Sequence, residues 1–136
     1  MKRVLEFDGD SVRDRMFYRR AVEAYVLGAS VAPPGERGIT QIRTNARLLK
    51  ALKTLAGRDE DADAVVAAAK NPETVRVVSR ILLPEGGRIV LEQADLSVLK
   101  SYVERAGWQP HDADDVADLY DWLDSRPEHR EEAVTM

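Results

Sequence analysis

The sequence predicts a mainly α-helical single domain, a small helical bundle with a minor two-stranded β element. Three observations predict it. Apolar residues recur at helical spacing through most of the 136 residues. Capping and stop signals bracket each such run. Two short segments, residues 3–7 and 88–91, carry strand signals and echo each other, each leading into a helix, so they can pair as one small sheet lying against the core. The length is typical of one domain with a real core, assigned to residues 1–126, with 127–136 as a loose charged tail.

Met1 to Phe7 reads as a strand closed by the turn Asp8-Gly9-Asp10. Ser11 with Asp14 approximates a capping box, and Phe17, Ala21, Ala24 and Tyr25, flanked by Val22 and Val26, give a buried helix face that runs to Gly28. Ala29 to Gly38, containing Pro33-Pro34-Gly35, is a loop and the candidate mobile segment. From Thr40 to Ala56 the apolar positions Ile42, Ala46, Leu49, Leu52 and Ala56 recur at helical spacing, with Gly57 placed to stop the helix.

Asp59, Asp61 and Asp63 imitate the first three ligand positions of a calcium loop, but Ala64 and Lys70 stand where that loop needs glycine and glutamate. Calcium is therefore rejected, and the acids are expected to cap a short helix, Ala64 to Ala69. Asn71-Pro72-Glu73 is a helix start, an N-cap side chain followed by proline at the first helical position, continued by Val75, Val78 and Leu82. The Val-rich run 75–83 also fits a strand, and the helical reading is preferred. Pro84-Glu85-Gly86-Gly87 ends it.

Arg88 to Leu91 is the second strand, and Glu92 with Asp95 starts a helix whose stripe is Val98, Leu99, Tyr102, Val103 and Ala106. Gly107 suits the left-handed residue after a helix, and Trp108 can fold back onto the last turn. The last helix begins across Pro110 to Asp115, buries Val116, Leu119, Tyr120 and Leu123 with Trp122 beside them, and ends at Arg126-Pro127. Trp108 and Trp122 read as core residues, although tryptophan is also enriched at partner interfaces.

Charge is distributed unevenly. The net charge is −4, yet residues 1–57 carry 11 Lys/Arg against 6 Asp/Glu, a surplus of +5, and residues 58–136 carry 9 against 18, a deficit of −9. Within the basic half, Arg43, Arg47, Lys50 and Lys53 line one face of the second long helix. Arg13, Arg15, Arg19 and Arg20 add to the positive field. Asp114, Asp118 and Asp121 repeat the arrangement with opposite sign on the last helix, near Asp112, Asp115 and Asp124. The basic row is a solvated or internally paired face, a surface for an acidic protein, or a phosphate-binding surface, and composition alone leaves all three open.

Other chemistry is poorly represented. With no cysteine, disulfides, thiol nucleophiles and thiolate metal sites are excluded, and His111 and His129 are too few for an all-histidine metal site. His111 reads as a capping or surface residue. Gly86-Gly87 lacks both the dinucleotide and the Walker spacing, and no G-x-S-x-G elbow is present. The aspartate row lacks the Glu-x-x-His partners of helical metal sites. The expectation is a non-enzyme without cofactor or metal. No run approaches the roughly 18 apolar residues of a membrane span, and the first residues turn acidic too early for a secretory signal, so a cytoplasmic protein is expected.

The layout of Ile89-Val90-Leu91-Glu92-Gln93-Ala94-Asp95-Leu96 running into Val98-Leu99-Lys100-Ser101-Tyr102-Val103, then Gly107-Trp108, the Val116 to Leu123 helix and a charged tail, resembles small proteins encoded among bacteriophage late genes. The resemblance covers residues 72–124. It implies a phage or prophage origin, location in the bacterial cytoplasm or on the virion, and a part in particle assembly or in controlling a host protein. Partners would be the protein itself or another phage protein, or a host protein. A nucleic-acid-binding regulator using residues 40–56, or an acidic inhibitor that imitates nucleic acid through Asp114, Asp118 and Asp121, is the alternative.

Overall fold

The computed structural model describes residues 1–30, 38–56, 58–80 and 86–129. Strand β1 (Lys2–Phe7) leads into helix α1 (Val12–Ser30), followed by α2 (Ile39–Leu55), α3 (Asp59–Lys70) and a 3-10 helix (Pro72–Arg80). Strand β2 (Gly87–Glu92) then runs directly into α4 (Gln93–Arg105), and a 3-10 turn (Pro110–Asp112) opens α5 (Ala113–Asp124). This is the mainly helical domain with one strand pair that the sequence predicts.

The strands pair antiparallel, from Lys2 opposite Glu92 to Phe7 opposite Gly87. Alternation puts Leu5, Phe7, Ile89 and Leu91 on the core side. The other edge of β1 is also occupied: the Val4 N–H donates to the Pro127 carbonyl at 2.9 Å, and the His129 N–H donates to the Lys2 carbonyl at 2.8 Å. The tail expected to be loose from 127 thus begins as backbone paired to β1. An unpaired strand edge is a row of donors and acceptors that nearby extended chain readily satisfies. Residues 130–136 lie outside the described residues.

Helix α1 forms the centre, buried along one broad face through Phe17, Tyr18, Ala21, Val22, Ala24, Tyr25 and Val26, with Arg19, Arg20 and Glu23 partly exposed on the other. Its start follows the expected cap with one change. Ser11 Oγ accepts the Asp14 N–H at 3.2 Å, while the Asp14 carboxylate reaches back to the Asp8 N–H at 2.8 Å. Gly28 does not end the helix as expected. It lies where α4 crosses, and a Cβ there would sit 2.5 Å from Tyr102 Cβ and 2.7 Å from the Tyr102 carbonyl oxygen. Close helix approach is the reason for glycine at this position. The expected loop 29–38 is helical at Ala29 and Ser30, and residues 31–37, with Gly57, lie outside the described residues.

Helix α2 turns inward only part of the face its apolar spacing predicts, burying Leu52 and Ala56 as expected but rotating the rest. Thr44, Leu48, Leu52 and Leu55 are buried, whereas Ile42 and Ala46 face outward and Leu49 is half-buried. The inward side is partly polar because tyrosines satisfy it. Tyr18 donates to the Leu52 carbonyl at 2.8 Å and Tyr25 to the Asn45 carbonyl at 3.0 Å. The Tyr102 hydroxyl donates to Asn45 Oδ1 and accepts from Gln41.

The acids expected before α3 lie inside it, since the helix starts at Asp59 and not at residue 64. Asp61 is buried and receives both ends of the Arg58 guanidinium, at 2.8 and 2.9 Å. Asp59 and Glu60 share the first turn, where the helix dipole favours anions. The next segment is helical, as preferred over a strand, but wound as a 3-10 helix, with Asn71 Oδ1 accepting the Glu73 N–H at 3.3 Å. Residues 81–85 lie outside the described residues.

Gly107 adopts φ +74° and lets Trp108 fold back, its indole N–H donating to the Val103 carbonyl at 2.7 Å. Both tryptophans pack against the core, Trp122 with ring centres 5.0 Å from Phe7 and 5.3 Å from Phe17. Helix α5 buries Leu119 and Leu123 fully and Val116 and Tyr120 in part. Among the described residues no helix is long and apolar enough to cross a membrane.

Candidate functional site

The four cations singled out on α2 separate into two groups. Arg47 donates two bonds to the Asp95 carboxylate, at 2.8 and 2.9 Å, and a third to Thr44 Oγ1 at 3.0 Å. Asp95 opens α4 with its side chain only 5% exposed, so Arg47 neutralises a nearly buried carboxylate and ties α2 to α4. Arg47 therefore belongs to the fold and not to a free binding face. Arg43, Lys50 and Lys53 point outward, and their side chains have no partner among the described residues.

Helix α5 divides in the same way. Arg20 on α1 bonds Asp112 at 2.7 Å, Glu23 at 3.1 Å and approaches Asp115 at 3.6 Å. Lys100 on α4 pairs with Asp124, a hydrogen bond that holds its ammonium above the usual lysine range. Burial pushes the Glu23 carboxyl upward, against the pull of Arg20 beside it. The three acids singled out, Asp114, Asp118 and Asp121, are exposed and have no side-chain partner among the described residues.

Helices α2 and α5 each pack on α1 and α4 but not substantially on each other. The free basic and free acidic rows consequently do not neutralise one another within the chain. His111 is 79% exposed beside Asp112, a surface position as expected. Among the described residues no cluster of three or more histidine and carboxylate side chains is arranged to hold a metal ion.

Beside the acidic row lies a feature that periodicity did not reveal, a cavity of about 480 Å³ between α4 and α5. Val103, Trp108, Pro110, Val116, Ala117 and Tyr120 give it apolar walls, and Glu104 and Asp121 border it. The Glu104 carboxylate accepts a hydrogen bond from Tyr120 and so raises the phenol's pKa. A second groove of about 360 Å³ runs between α2 and β2, with Arg47, Lys50, Glu92 and Asp95 among its walls. Its opposed charges largely cancel.

Sequence reasoning missed Asp95 as the anchor of Arg47. A signal was present: Asp95 is in register with Leu99, Tyr102 and Ala106 on the buried stripe, and a carboxylate on such a stripe requires a cation. Comparison with known protein families, with characterised proteins and with solved structures finds no match to this chain.

Proposed function

We propose that this protein acts by protein–protein contact, the outer face of α2 on one molecule meeting the outer face of α5 on another, in the particle-assembly role that resemblance to phage late-gene proteins implies. No catalysed reaction is part of this reading. One observation supports it: Arg43, Lys50 and Lys53 on α2, and Asp114, Asp118 and Asp121 on α5, have no side-chain partner among the described residues, and the two helices do not pack substantially on each other. Opposite patches that cannot meet within one chain are free to meet between chains.

Contacts of this kind weaken with salt, because exposed charges are screened beyond about 8 to 10 Å at physiological ionic strength. Light scattering coupled to size exclusion at low and high salt tests the reading. Assemblies at low salt that dissociate at high salt are expected, and Arg43→Glu/Lys50→Glu/Lys53→Glu should be monomeric at both. Arg47 stays untouched, since its loss would strand Asp95. A wild-type monomer at both salts overturns self-association. Nucleic acid co-eluting through the basic row would instead favour the regulator.

A further inference from the structure

Exposed ion pairs steer and register an interface but hold it weakly. A lasting contact between copies needs an apolar anchor as well. Helix α2 carries one: Ile39 is 62% and Ile42 58% exposed, and Ala46 faces outward on the same side. The spacing 39, 42, 46 is one helical stripe, and the free cations Arg43, Lys50 and Lys53 interleave with it on the outer half of the helix.

The complementary surface is the α4–α5 cavity. Its walls are apolar, Glu104 and Asp121 border it, and Asp114 and Asp118 continue the acidic flank. Spacing matches too. Arg43 and Lys50 are seven residues apart, as are Asp114 and Asp121, about 10.5 Å along either helix axis. Two cations can therefore meet two carboxylates together when the helices lie side by side.

We propose that α2 of one copy docks in the α4–α5 groove of a second copy, with Ile39 and Ile42 entering beside Trp108 and Tyr120 and the cations of α2 facing the acids of α5. This rests on the charged-face reading above and adds its apolar seam and its geometry. The two surfaces differ, so the contact is head-to-tail. Each copy offers one helix and one groove, and repetition gives a ring or an open chain. A helix laid into an apolar groove is a recurring recognition mode.

Two variants separate the surfaces. Ile39→Ser/Ile42→Ser removes the anchor from exposed positions and leaves every charge in place. Ala117→Trp fills the groove, with Ala113→Trp as a second choice if the first does not fold by circular dichroism. Each variant alone should be monomeric in low-salt light scattering, its association weakened at least about tenfold. An equimolar mixture should form a 1:1 dimer, because one variant keeps its groove and the other keeps its helix. Wild-type-like assembly of the variants, with the Arg43/Lys50/Lys53 reversal monomeric, would overturn the groove while sparing the charged-face reading. Monomeric variants that fail to pair in the mixture would overturn head-to-tail docking. A wild-type monomer at low salt would remove both.

Discussion

Helices α2 and α5 lean on the same pair, α1 and α4, yet they are held by different chemistry. Helix α2 buries Leu48, Leu52 and Leu55 and adds polar contacts to them: two tyrosine hydroxyls on its backbone carbonyls, the Gln41–Tyr102–Asn45 chain, and Arg47 on Asp95. Helix α5 buries Leu119 and Leu123, sets Trp122 against Phe7 and Phe17, and adds only peripheral ion pairs, Lys100 with Asp124 and Arg20 near Asp115. The difference shows why periodicity reads α5 fully and α2 only in part, where Leu52 and Ala56 are buried as expected but Ile42 and Ala46 are not. Where the inward face is apolar, the stripe identifies it. Where tyrosines and a buried carboxylate satisfy polar groups beside the buried leucines, the inward face is no longer the apolar stripe alone, and Ile42 is left outside.

The largest expected effect lies on the apolar side. Leu119→Ala leaves a cavity under α5 and should cost about 2 to 5 kcal/mol in chemical denaturation. Tyr18→Phe removes one hydroxyl bond to α2 and should cost about 1 kcal/mol. Equal losses would break the contrast between the two attachments.

Alkaline pH sharpens it. Burial raises the Tyr25 phenol to about 12 and Tyr18 well above its ordinary value. Above about pH 10 the unfolded chain releases these protons while the folded chain keeps them. Stability contributed by the neutral phenols is thus complete below pH 10 and declines as pH rises toward 12. Urea denaturation at pH 8, 10 and 11 should show that decline, and Tyr25→Phe should make it shallower, with Tyr18 still contributing.

The smallest effect lies on the free face of α2. Lys50→Glu on the free face should leave the melting temperature unchanged, whereas Arg47→Glu should lower it, because Asp95 would then face a carboxylate. Identical melting curves would place Arg47 back among the free cations.

Much of the architecture was legible along the chain. The strand pair at residues 3–7 and 88–91, the capped start at Ser11 and Asp14, the left-handed Gly107 and the stripe of α5 are each set by local backbone preference or by a period that a single apolar face imposes. Asn71 likewise caps a helix, although its 3-10 winding was not predicted.

What remained depended on pairs of residues distant in sequence. Gly28 meets Tyr102 only because α1 and α4 cross there, Arg47 leaves the basic row only because Asp95 lies under it, and Val4 takes Pro127 as a partner only once β1 presents an edge. The sequence by itself determined the helical class, the strand pair and the two rows of opposite charge, since composition and period act locally. Only the tertiary structure decided which charges stay free, because whether a charge is spent depends on what another helix places against it.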